Sequence, residues 1–179
     1  TRGLESLDLS NLLHTLDVPQ LAQKEVAASM EKEKLLVAAG AEYLDYQESD
    51  LHESRQFDAI TAEQRVLGSR VSCHRVRGRL DGSYLELPEV ELRYNKGSIP
   101  GNGLGAYNST GINIKVEGGA QDGIGKTAFG VSIFVFKYKG KDGKFYNGSV
   151  GKGFGYGAQK GALVVQGNAD ARAGIRLSG

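Results

Sequence analysis

The chain has 179 residues, 40% of them hydrophobic, with 22 Lys plus Arg against 21 Asp plus Glu. That balance suits a folded globular protein and gives no global pull toward nucleic acid or an anionic membrane. The single cysteine excludes an internal disulfide, a Cys-rich structural zinc site and an iron–sulfur cluster ligated by this chain alone.

In chain order, Leu4, Leu7, Leu12, Leu13 and Leu16 recur at helical spacing, and Asp17-Val18-Pro19 punctuates them. A second helix is expected over residues 20–39, with Ala22, Val26 and Met30 spaced by four, and Gly40 as its stop. Residues 42–58 have no firm period and read as a loop or a short helix. From Gly68 the pattern reads as alternation, with Val71 and Cys73 on one side. Tyr84 to Leu87 and Val90 to Tyr94 are then strand candidates around an Asp81-Gly82 turn.

Composition changes near residue 96: five of the 26 glycines lie in residues 1–95 and twenty-one in 96–179. Charge divides too. Residues 1–66 hold thirteen acids and six bases, leaving eight acids and sixteen bases for the remainder, so the two parts could attract each other. Three apolar runs, Ile112 to Val116, Val131 to Val135 and Leu163 to Val165, each follow a glycine, at 111, 130 and 161; the first and third close on Gly118 and Gly167. The period is 18–19 residues, with the middle interval lengthened by a Lys-, Gly- and Asp-rich insertion from Lys137 to Gly148. Alternation places Ile112, Ile114 and Val116 on one face. One such strand cannot bury that face, whereas stacked repeats form a continuous apolar column. Corner positions then need residues without a Cβ that tolerate positive φ, which nominates Gly105, Gly111, Gly118, Gly125, Gly130, Gly155, Gly161, Gly167 and Gly174. The expected fold is mainly β, a single-stranded right-handed β-helix (solenoid) over 67–179, regular from about 97, preceded by a helical or linker segment over 1–66.

Gly119-Ala120-Gln121-Asp122-Gly123-Ile124-Gly125-Lys126, the Gly97–Gly111 segment with Gly103-Leu104-Gly105-Ala106-Tyr107, and Lys160 to Gly179 resemble, in order, segments of the C-terminal glycine-rich (GXGXG) domain of the glutamate synthase large-subunit family. Gln64-Arg65-Val66-Leu67-Gly68 is similar to the entry into that domain, and Leu7 to Leu13 to its linker. The chain also resembles, more distantly, the solenoid subunit of formylmethanofuran dehydrogenase, through Gly167 to Gly174. The resemblance implies a non-catalytic brace within an oxidoreductase making two glutamates from glutamine and 2-oxoglutarate. It also implies that FMN and iron–sulfur centres belong to partner domains, with no cofactor in this chain. Expected partners are an amidotransferase or a flavin-containing synthase domain or subunit, or a second copy of the chain, with no nucleic acid and no membrane. The family continues with more coils beyond the position of Gly179, which predicts an uncovered solenoid edge.

Other constellations favour bland readings. Gly153-Phe154-Gly155-Tyr156-Gly157 lacks the following helix that a phosphate loop requires. Cys73 beside His74 reads as a buried small apolar residue, not a nucleophile paired with a base. His14 and His52 show no ligand spacing. Arg65, Arg70, Arg75, Arg77 and Arg79 read as a solvated strand face or a partner for the acidic N-terminal part. Phe134 and Phe136 alternate with inward Val131, Ile133 and Val135, which makes them the expected contact surface. With no basic and apolar leader, a cytoplasmic setting is expected; the opening Thr-Arg-Gly without an initiator Met suggests missing upstream sequence.

Overall fold

A computed structural model describes residues 48–178; the expectations for residues 1–47, including both N-terminal helices, lie outside them. The chain divides into Thr1–Tyr43 and Leu44–Gly179, and the described residues belong to the second unit.

The described residues are mostly β with one helix. A 3-10 turn, Glu48–Leu51, precedes β1 (Arg55–Asp58), helix α1 (Ser69–Asp81), β2 (Val90–Ser98), β3 (Ile112–Gly118), β4 (Phe129–Phe136), the short strands β5 (Tyr138–Lys139) and β6 (Phe145–Tyr146), and β7 (Lys160–Val165). Strands β1-β2-β3-β4-β7 form one sheet in that order, every pair parallel, while β5 and β6 make a separate antiparallel hairpin.

Alternation within each strand sets the faces. Val90, Leu92 and Tyr94, then Ile112, Ile114 and Val116, then Val131, Ile133 and Val135 are buried. Register aligns Leu92, Ile114, Ile133 and Leu163 in one inward row. Ile114 and Ile133 are fully buried, whereas Leu163, on the edge strand, is only half-buried. A neighbour on each side therefore separates a closed position in the row from an open one.

Between the strands, and after β7, the chain makes turn segments at 102–107, 122–127, 152–157 and 171–176. These are joined in succession by backbone bonds and by the parallel bridges Ala120–Val150 and Val150–Ala169.

Two expectations fail between Gly68 and Leu87. Residues Ser69–Asp81 are helical, with Val71, Ser72, Arg75 and Gly78 buried at spacings of one, three and three, a helical stripe and not a strand face. The apparent alternation was made by polar residues on the exposed side of this helix. Tyr84 to Leu87 is irregular; Gly82 at φ 80° ends the helix as a left-handed cap, and Tyr84 folds back so that its ring lies against Gly78. The Val90–Tyr94 strand is present within β2.

Candidate functional site

The turn segments share one backbone device. In each, three alternate residues have positive φ: Gly103, Gly105 and Tyr107; Gly123, Gly125 and Thr127; Gly153, Gly155 and Gly157; Arg172, Gly174 and Arg176. The outer amides donate forward to the next segment, Gly103 to the Asp122 carbonyl at 2.8 Å and Tyr107 to Lys126 at 2.8 Å. The middle amide donates backward, Gly105 to Leu67 at 2.9 Å, Gly125 to Leu104 at 2.9 Å, Gly155 to Ile124 at 2.8 Å and Gly174 to Phe154 at 2.8 Å. Alternate residues thus face opposite neighbours, as in a parallel strand, but through left-handed backbone.

Only the middle position requires glycine for space as well as for φ. A Cβ on Gly105 would lie 2.5 Å from Ile133 Cδ1 and 3.1 Å from Ile114 Cδ1, and one on Gly125 would lie 3.2 Å from both Ile133 and Leu163. Gly111, Gly130 and Gly161 stand at positive φ before or at the start of their strands; a Cβ there would meet the Arg75 guanidinium, the Thr110 hydroxyl and the Val131 carbonyl respectively. Gly118, at φ 150°, lies against the Ser98 backbone. Gly167 differs: its φ is not positive, and its small size is explained by Ser149 and Gly148 beside it.

The segment Gly153–Gly157 is followed by β7, and its amides at 153, 155 and 157 donate to the carbonyls of Ala171, Ile124 and Ile175. It therefore presents no free amide cradle to a phosphate. One cysteine cannot ligate a cluster, and no group of three His, Cys, Asp or Glu able to hold a metal occurs among the described residues.

Cys73 is exposed, which corrects the expectation of a buried thiol: on α1 it faces away from the stripe holding Val71 and Arg75. The reading of the arginines as a solvated strand face also fails. Arg70, Arg75, Arg77 and Arg79 lie in helix α1, and Arg75 is fully buried, donating from its two terminal nitrogens to the carbonyls of Leu51 and Pro88, each at 2.6 Å. Burial, and then Arg79, press it below the ordinary guanidinium value, with Glu89 opposing. Arg75 ties the 3-10 turn and the segment before β2 to the Gly111 corner, a role that sequence reasoning missed because the residue sits in a run of surface-like arginines.

On the outer sheet face, Phe134 and Phe136 stack with ring centroids 6.0 Å apart and planes at 9°. Phe134 is half-buried and Phe136 is 37% exposed. Register places Lys115 and Val164 on either side of Phe134. Further along the same face, Glu91 binds Arg93 and, at 2.6 Å, Lys115. Partial burial would raise the Glu91 carboxyl, but these cations outweigh it and hold it below its usual value. At the β7 edge, Leu163, Leu177, Ala158 and Lys160 help line an open depression of about 340 Å³.

The sequence profile of the GXGXG motif family matches residues 37–179. The chain belongs to the GXGXG family. It is also similar to glutamate synthase (NADH) of Saccharomyces cerevisiae, 36% identical over 126 residues, which cover 68% of this chain and 6% of that protein. The chain thus spans a small fraction of this relative. No solved structure matches it. Within the GXGXG chain, all three left-handed positions are glycine only at Gly153, Gly155 and Gly157, while the other segments keep the backbone with Tyr107, Thr127, Arg172 and Arg176 at outer positions. Among the described residues, no helix is long and apolar enough to cross a membrane.

Proposed function

We propose that the chain is a non-catalytic scaffolding domain of a glutamate synthase-type enzyme. In this reading the glycine turns and parallel strands are successive coils of a right-handed β-solenoid that positions catalytic domains or subunits acting on glutamine and 2-oxoglutarate in the cytoplasm. The observation that carries it is the alternating ladder: the turn amides, the groups a ligand would need, donate to neighbouring turns instead. The outward Phe134 and Phe136 remain for contact. Membership of the GXGXG family and the glutamate synthase relative supply the enzyme type. FMN and iron–sulfur centres would reside in the partner domains.

The test is to purify the chain alone and with an amidotransferase or flavin-containing synthase chain. The chain alone should be colourless, hydrolyse no glutamine and be indifferent to Cys73→Ser; Phe134→Ser with Phe136→Ser should weaken co-purification with the catalytic chain. Bound flavin, or glutaminase activity lost in Cys73→Ser, would overturn the proposal.

A further inference from the structure

The β5–β6 hairpin is dispensable to the sheet. Strand β4 pairs directly with β3 and with β7, and the bridges from Ala120 through Val150 to Ala169 continue beyond the insertion. Residues 137–147 interrupt the repeat without adding a rung, and an isolated two-stranded hairpin is only marginally stable in water. Apart from Tyr138 and Asn147, whose side chains lie against Gly97 and Gly119, packing constrains their sequence little.

That sequence is nonetheless one-sided. Lys137, Lys139, Lys141 and Lys144 face one acid, Asp142, and Asp142 is engaged within the hairpin, accepting from the Tyr146 hydroxyl and from the Lys144 amide at 3.1 Å. Cross-strand pairing of Tyr138 with Tyr146 and of Lys139 with Phe145 puts the tyrosines on one face and Phe145 with Lys139 on the other. The Tyr138 ring lies over Gly97. Phe145 is 63% exposed, paired across the strands with Lys139 and next in sequence to Lys144.

We propose that this hairpin is a docking knob for an acidic protein surface, with Phe145 as its apolar anchor and the lysines as its charged rim. An aromatic anchor ringed by polar residues is the usual anatomy of a protein hot spot, and the uncompensated lysines select an acidic partner by complementarity. Single-stranded nucleic acid is disfavoured because it needs a track of stacking rings, and Tyr146 and Tyr138 are held by Asp142 and turned onto Gly97. The inference deepens the contact role proposed above and rests on it for the expectation of a protein partner.

The test uses the full chain and a fluorescein-labelled peptide of Glu and Asp residues flanking a Leu-Leu centre, read by anisotropy at low and high salt. Binding should saturate, weaken with salt, fall about fivefold or more in Phe145→Ser, and fall about tenfold or more when Lys139, Lys141 and Lys144 are changed to Glu. Both variants should keep the parent's thermal midpoint. Absent peptide binding, unchanged binding by the variants, or tighter binding to oligo-uridine RNA or phosphatidylserine vesicles would overturn the proposal. Flavin binding or glutaminase activity would instead refute the scaffold reading, so the two failures are distinguishable.

Discussion

Substituting alanine at Gly105 and, separately, at Gly157 divides the two reasons for glycine in the turns. Both residues have positive φ, 63° and 68°, so each substitution incurs a similar left-handed backbone cost, on the order of 1 kcal/mol. They differ in space. The new Cβ at Gly105 would lie 2.5 Å from Ile133 Cδ1 and 3.1 Å from Ile114 Cδ1, and both of those side chains are fully buried. At Gly157 the nearest atom is Thr127 Cγ2 at 3.4 Å. Overpacking a closed core adds about 1–3 kcal/mol, so Gly105→Ala should lose about 3 kcal/mol in all and Gly157→Ala about 1. In a domain of this size that corresponds to thermal midpoints lower by about 6–12 °C and 2–4 °C respectively. Circular dichroism melts, with urea unfolding to check cooperativity, measure both. Equal losses at the two sites would refute the claim that the middle position alone is sterically closed.

Arg75→Ala should destabilise by about 2–5 kcal/mol in urea unfolding, because it strands the Leu51 and Pro88 carbonyls and leaves a hole; a loss below ~1 kcal/mol would mean that the two bonds contribute little. Cys73 should react with a thiol reagent in the folded protein as fast as an unhindered thiol, and protection lifted only by denaturant would contradict its exposure. Glu91, held below its usual value of 4.5, contributes stability that is present above that value and lost as pH falls through the lower folded value. The gap in thermal midpoint between the parent and Glu91→Gln should therefore be constant near neutrality and shrink in acid; a gap that widens in acid would reverse the assigned sign.

Strands β2, β3, β4 and β7 were legible because each carries an apolar period of two, and Gly111 before β3, with Gly130 and Gly161 at the starts of β4 and β7, marked where they begin. The alignment of Ile114, Ile133 and Leu163 followed from the near-constant period. Helix α1 was hidden because its buried stripe is made by Val71, Ser72, Arg75 and Gly78, of which one is a large apolar residue. A hydrophobic period cannot reveal a stripe whose largest member is an arginine, and the error carried Cys73 to the wrong side. Gly68 and Gly82, which bound the helix, were the available signal, since glycine marks helix ends as readily as it marks turns. Strand β1 was missed because only Phe57 of its four residues is apolar, and its placement comes from pairing with β2.

The turn segments explain why the repeat tolerates so much sequence change. A left-handed residue that faces outward incurs only a conformational cost, and Tyr107, Thr127, Arg172 and Arg176 bear it at φ between 51° and 66°. A left-handed residue at the middle position incurs that cost together with crowding, severe at Gly105 and Gly155, where a Cβ would lie 2.5 Å and 2.8 Å from Ile133 and Leu163, and milder at Gly125 and Gly174, at 3.2 Å and 3.3 Å, and all four segments keep glycine there. Side chains cross the turn surface from an outer position and from the residues just before others: Arg176, Tyr156 and Lys126 meet there, with the two cationic groups 5.8 Å (Lys126) and 5.9 Å (Arg176) from the Tyr156 ring centroid. Spacing between middle glycines, and not the full three-glycine motif, is therefore the physical signature of this backbone. The fourth segment, with one glycine among its three left-handed residues, makes the same backward bond, from Gly174 to Phe154, that Gly155 makes to Ile124 in the third.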